Sequence, residues 1–241
     1  MNSVEHEVLA ALLQVRAGSL RVLLWQRAME PQAGRWSLPG GRLCPDDDVE
    51  TSIRRHLAEK VDVRQLSHVE QLAVFSDPAR VPGPRVVATA FLGLVACDND
   101  PEVPPDTVWW PVDDLPRTAF DHEAIVLRAR GRLRAKLSYT NLGFALAPSE
   151  FTVSALRELY SAALGYRVSA TNLQRVLARR GLLEVTGHTV ASGPSGGRPA
   201  ALFRFTRHGL QVTDAFAVLR PPGVGGPGVG RPGVGRPLPP S

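Results

Sequence analysis

Residues 36–63, WSLPGGRLCPDDDVETSIRRHLAEKVDV, join a turn rich in proline and glycine to an amphipathic helix. No other segment narrows the fold as much. Pro39, Gly40 and Gly41 interrupt any helix or strand period, so the chain must turn there. Val49, Ile53 and Leu57 recur every four residues and form one apolar stripe, which predicts a helix over 48–60. Asp46, Asp47 and Asp48 precede it, where carboxylates cap a helix and complement the positive end of its dipole. Such a helix needs an apolar surface to lie on. Residues 4–15 and 20–25, split by RAGS, read as a β-hairpin. Residues 31–41 read as a loop, 68–76 and 85–96 as strands, 108–112 as a short strand, and about 121–136 as a helix begun by Asp121. Strands interrupted by helices in this order predict an α+β fold, a sheet with helices packed on it.

A second unit starts near APSEFTV. Residues 152–164 predict an amphipathic helix stopped by Gly165. Ser169 can cap another over 170–180, which ends at Gly181. LLEVTG and AALFRFT then read as two short strands around HTVASGPSGGRP. Two helices joined by a tight turn and followed by a hairpin make a winged helix-turn-helix, whose second helix reads DNA. The expected division is 1–147, 148–218 and a Gly/Pro-rich disordered tail, 219–241.

Charge follows the same division. Residues 1–147 hold 17 Lys+Arg against 19 Asp+Glu, and residues 148–218 hold 8 against 4. Only the second unit is therefore expected to meet a polyanion. The two cysteines, Cys44 and Cys97, have no metal-ligand spacing and read as ordinary thiols. No run of about 18 uncharged apolar residues occurs. The N-terminal stretch lacks the basic start of a signal peptide, so the expected location is cytoplasmic.

The turn and helix match the pattern Gly-x5-Glu-x7-Arg-Glu-U-x-Glu-Glu-x-Gly-U, U being aliphatic, which resembles the box of the Nudix family. Gly41, Asp47, Arg55, Leu57, Glu59 and Val63 fall in register. In the full box, positions 56, 59 and 60 are carboxylates, which share one helix face and hold Mg²⁺ against a diphosphate. Here His56 and Lys60 replace two of them, and Asp62 stands at the late glycine. Their summed charge moves from −3 to about 0, which suits an anion better than a metal and activates water badly. The expectation is a degenerate site with no catalytic residue, no metal ligand set and weak or absent Mg²⁺.

The resemblance continues through residues 68–95, 109–139, 151–183 and 197–205, in which the chain is similar to the Nudix-related transcriptional regulators, the NrtR family. It implies a Nudix-like α/β/α sandwich followed by a winged helix, in a dimeric repressor of NAD biosynthesis genes. The implied effector is ADP-ribose or a related NAD derivative, and the implied partner is double-stranded operator DNA. Two rival readings are an active hydrolase of ADP-ribose and a DNA-binding protein whose Nudix-like part only dimerises.

In the sensor, Trp36 and the turn Leu38, Pro39, Gly40 and Gly41 are expected to border the ligand, the tryptophan by stacking and the glycines by close backbone approach. Arg35, Arg55 and Arg80 are candidates for the diphosphate, although Arg55 has a second role open to it, as a brace for the box helix. Glu59 and Lys60 are expected at the same pocket. Glu70, in an EQL motif, is a further ligand candidate, and His122 reads as structural. In the reader, Thr171, Asn172 and Arg175 project from the first turns of the second helix toward base edges. Arg179 lies at its far end with Arg180, and Arg198 lies at the end of the wing, where either phosphate or the minor groove is in reach.

Overall fold

The computed structural model describes residues 4–191 and 199–214. Strands β1 (Glu5–Arg16) and β2 (Ser19–Gln26) pair antiparallel across a two-residue turn. Ala17 and Gly18 both have positive φ there, as the twist of a tight hairpin demands. β3 (Trp36–Ser37) and β4 (Gly40–Arg42) then add to β2 and β1 respectively. This corrects the reading of 31–41 as loop throughout. Both strands are too short to show a period, and β4 pairs with a strand some 30 residues earlier.

The helix α1 (Val49–Lys60) begins at Asp48, whose side chain accepts the Thr51 N–H at 2.7 Å. β5 (His68–Phe75), β6 (Val86–Leu94) and β7 (Thr107–Pro111) complete a seven-stranded sheet ordered β3-β2-β1-β6-β5, with β4 on β1 and β7 on β2. β1 and β6 run parallel. Alternate residues of β1 face opposite layers. Val8, Ala10 and Leu12 pack with Ile53 and Leu57 of α1. Leu9, Ala11 and Leu13 pack with Ile125, Val126 and Ala129 of α2 (His122–Tyr139). β1 is thus buried on both faces, and the expected α/β/α sandwich is the observed one. Each fully buried leucine contributes roughly 1.5–3 kcal/mol.

A 3₁₀ turn at Leu142–Ala145 leads to α3 (Val153–Leu164), capped by Thr152 and stopped by Gly165 at φ 78°. α4 (Ala170–Arg179) follows, with the Ser169 side chain accepting the Asn172 N–H. β8 (Leu183–Val190) and β9 (Ala200–Phe205) form the wing. β8 runs three residues beyond the expected strand, because Thr189 and Val190 resume pairing with Ala201 and Ala200 after an irregularity. Arg198 and the tail 219–241 lie outside the described residues.

The reader is packed into the sensor. Leu156, Leu159, Tyr160 and Ala163 of α3, with Leu173 and Leu177 of α4, belong to the same apolar cluster as the α2 face of the sheet. Phe151 and Phe203 exchange backbone hydrogen bonds of 2.9 and 2.8 Å, tying the entry of α3 to the wing. Among the described residues, no helix is long and apolar enough to cross a membrane.

Candidate functional site

The turn expected at 38–41 forms one wall of a cleft of about 620 Å³, a size suited to a small-molecule ligand. Leu38, Gly40, Gly41 and Lys60 line it, together with Glu7, Trp25, Arg27, Glu30, Ser37, Arg42, Phe120 and His122. Three groups hold the turn in place. The indole N–H of Trp25 donates to the Leu38 carbonyl at 3.2 Å. The Leu38 N–H donates to Nδ1 of His122 at 2.9 Å, and the ammonium of Lys60 donates to the Gly40 carbonyl at 2.6 Å. Burial pushes His122 down to about 3, so it stays neutral and keeps Nδ1 free to accept. This is the structural role expected of it.

The glycines are required by packing. A Cβ at Gly40 would lie 2.0 Å from the Val8 carbonyl oxygen, and one at Gly41 would lie 2.6 Å from the His56 ring. The first glycine therefore lets β4 approach β1, and the second makes room for the imidazole that replaces a carboxylate. His56 is buried, and its Nε2 donates to the Arg42 carbonyl at 3.0 Å. Burial lowers its pKa, with Lys60 and Arg55 adding to the effect. Asp62 has φ 51°, the left-handed region that the family's glycine adopts without strain and that Asp tolerates better than most residues.

The box does not present a metal site. His56 is turned to a backbone carbonyl, Glu59 pairs with Arg55 at 3.3 Å, and Lys60 is held on Gly40. Among the described residues, no three His, Cys, Asp or Glu side chains gather as ligands. A hard divalent cation needs several converging oxygens, and this donor set does not fit one.

Other expected ligand residues are engaged elsewhere. Arg55 braces the box helix, donating to Asp47 at 2.9 and 3.1 Å and to the Cys44 sulfur at 3.0 Å. Of the three aspartates, Asp48 is the cap and Asp47 is this brace. The side chain of Arg80 is 1% exposed, forked onto Asp121 at 2.7 and 2.9 Å and bonded to Glu7 at 2.6 Å. It ties β1 to the start of α2 behind the cleft. Asp121 accordingly gives α2 no side-chain capping bond, contrary to expectation. Glu70 bonds His68 at 3.0 Å, Arg132 at 3.3 Å and Lys136, so it clamps β5 to α2 away from the cleft. Trp36 packs edge-on against Trp110 with centroids 5.3 Å apart, and neither it nor Arg35 lines the cleft.

Sequence reasoning missed Arg27 and Phe120, which line the same cleft. Arg27 follows the last residue of β2, and its guanidinium lies over the Phe120 ring at 4.9 Å. Phe120 sits at φ 50°, its N–H held by the Gln32 side chain at 3.0 Å. The only sequence signal was position: both flank elements whose ends open onto a loop.

In the reader, Thr171, Asn172, Arg175 and Arg179 are exposed, on the face of α4 opposite the buried Leu173 and Leu177. Arg175 donates to the Asn172 side-chain oxygen at 2.7 Å, which fixes both relative to the helix start. Arg180 turns inward instead, donating to the Ser138 carbonyl at 3.1 Å and pairing with Asp214 at 3.1 Å.

The chain matches the NUDIX domain over residues 6–129 and the NrtR DNA-binding winged helix domain over residues 143–205. It is 30% identical over 202 residues to the ADPR responsive transcriptional repressor NtrR of Acinetobacter baylyi, covering 81% of this chain and 79% of that protein. An ADP-ribose pyrophosphatase of Methanocaldococcus jannaschii is 29% identical over 112 residues, 44% of this chain and 63% of that one. The crystal structure of Shewanella oneidensis NrtR complexed with a 27mer DNA superposes with a TM-score of 0.70 at 31% identity, over 83% of this chain and 92% of that one. The chain belongs to the Nudix family, in the NrtR branch that joins a Nudix domain to a DNA-binding winged helix.

Proposed function

We propose that the protein is a transcriptional repressor of NAD biosynthesis genes that binds operator DNA as a homodimer and senses ADP-ribose, or a related NAD derivative, in the cleft of its Nudix domain. The observation that carries this reading is a ligand-sized cleft and an exposed basic reading helix built onto one apolar core. Similarity to a named ADPR responsive repressor across both units supports it. The domain works as a sensor without hydrolysis. Its box offers one carboxylate where the chemistry wants three, and that carboxylate is paired with Arg55. No metal or other cofactor is required.

Fluorescence anisotropy with DNA from upstream of NAD biosynthesis genes tests the reading. Full-length protein is expected to bind a palindromic site as a dimer, and ADP-ribose is expected to lower that affinity. Failure to bind any such region at low salt rejects the repressor, and binding that ADP-ribose leaves unchanged rejects the sensor. AMP release from ADP-ribose with Mg²⁺ at about 1 s⁻¹ or faster would restore the hydrolase reading.

A further inference from the structure

The misfit between the box and a divalent ion has a positive counterpart in the same cleft. Lys60 and Arg27 both line it, and among the described residues neither forms an ion pair with a carboxylate. Lys60 spends one of its three donors on the Gly40 carbonyl and rests its charge 5.2 Å from the Trp25 ring centroid. Arg27 donates at 3.3 and 3.5 Å to the carbonyls of Pro31 and Met29, and lies over Phe120. Two carboxylates share the cleft: Glu7 is committed to Arg80, and Glu30 accepts the Ala33 N–H at 3.5 Å. Arg42 is committed to Glu5. Burial, and the repulsion of Arg27 and Arg55, lower the pKa of Lys60 while Glu59 and Glu7 oppose them. Two like charges that line one cleft, each half-buried, gain from an anion between them. A second observation points the same way: Ser37 lines the cleft at 1% exposure, and its hydroxyl has no partner among the described residues. Buried hydroxyls are seldom left so.

We infer that Lys60, with Arg27 of the same cleft, supplies the fixed positive charge that holds the ligand's diphosphate, in place of the divalent ions that a full box would bind, so that effector binding is independent of metal. The inference rests on the sensor reading above. It assigns Lys60 a binding role at the position where the family pattern has a carboxylate. It also explains why the turn carbonyl of Gly40 is kept on the ammonium: the bond aims Lys60 into the cleft and leaves its other protons for phosphate oxygens.

Calorimetry on the full-length protein tests it, with ADP-ribose, inorganic pyrophosphate and adenosine as probes, each in EDTA and in millimolar Mg²⁺. ADP-ribose affinity is expected to agree within about twofold between the two buffers. Lys60→Met keeps an unbranched aliphatic side chain and removes the charge; it is expected to weaken ADP-ribose and pyrophosphate by roughly 10- to 100-fold, the range for a hydrogen bond to a charged group, and to leave adenosine unchanged. Arg27→Gln is expected to act in the same direction, and Lys60→Arg to restore part of the loss. Thermal melts establish that each variant is folded. ADP-ribose binding that appears only with Mg²⁺, or an unchanged affinity in folded Lys60→Met, overturns the inference and leaves the sensor reading standing. No ADP-ribose binding by wild type in either buffer overturns both.

Discussion

Glu70 carries the largest resolved shift of any carboxylate among the described residues. Burial alone would raise it, yet hydrogen bonds and charge from His68 and Lys136 hold it at about 2. Its folded pKa lies below its unfolded one, so the stability it contributes is present above about pH 4.5 and is lost as pH falls through about 2. The linkage corresponds to an upper limit of about 3 kcal/mol. Glu70→Gln is expected to lower stability at pH 7 by about 2–3 kcal/mol, because Lys136 is left half-buried and unpaired. Urea melts of both forms should converge as pH drops from 4.5 toward 2; a constant difference over that window would show that the clamp works by packing instead. The EQL motif drew attention to this residue as a ligand group, but two of its partners, Arg132 and Lys136, sit on α2, more than 60 positions away. Asp62 was the converse case, legible as a departure from the pattern while the backbone angle that makes the departure tolerable was not.

At the scale of elements, α4 shows how far local chemistry reaches. Ser169 before it, Gly181 after it and leucines every fourth position were enough to place the helix and its buried face. The opposite face then follows, and with it a prediction. Arg175→Ala is expected to cost about 1–3 kcal/mol of operator binding and to relax preference at one base position, since it removes a donor fork from the start of the reading helix. Arg179→Ala, a turn further on, is expected to weaken all sequences alike. Competition binding against single-base operator variants separates the two, and a uniform loss for Arg175→Ala would move that residue from base to phosphate. Other elements were legible for the same reason: α1, α3 and the β1–β2 hairpin each carry a cap, a stop or a period within a dozen residues. β3, β4 and the Arg27–Phe120 wall were not, because what defines them is pairing across the sheet. The glycines of the turn line the cleft, and they also admit β1 and His56, a packing role that only the folded chain reveals.

For the whole molecule, the decisive feature is that sensor and reader share one apolar cluster. Charge and composition divide the chain near residue 147, but α3 lays Leu156, Leu159 and Ala163 into the core that α2 and the sheet also fill. A reader cut away from that core would expose these leucines and lose roughly 1.5–3 kcal/mol for each. Unfolding should therefore be one cooperative event, and the sequence supplies separate reporters for it. The four tryptophans, at 25, 36, 109 and 110, all lie in the sensor, and the three tyrosines, at 139, 160 and 166, all lie at or beyond the end of α2. Tryptophan fluorescence, tyrosine absorbance and far-UV circular dichroism are expected to give coincident denaturant transitions. If the proposed effector site is right, ADP-ribose is expected to bind the folded form alone and to move all three midpoints together. That shared shift is the physical link a repressor of this build needs, since a ligand in the cleft can alter the reader only through a structure both belong to. A tyrosine transition that separates from the tryptophan one, and that ADP-ribose leaves in place, would show two independently folding units and remove the core as the route between them.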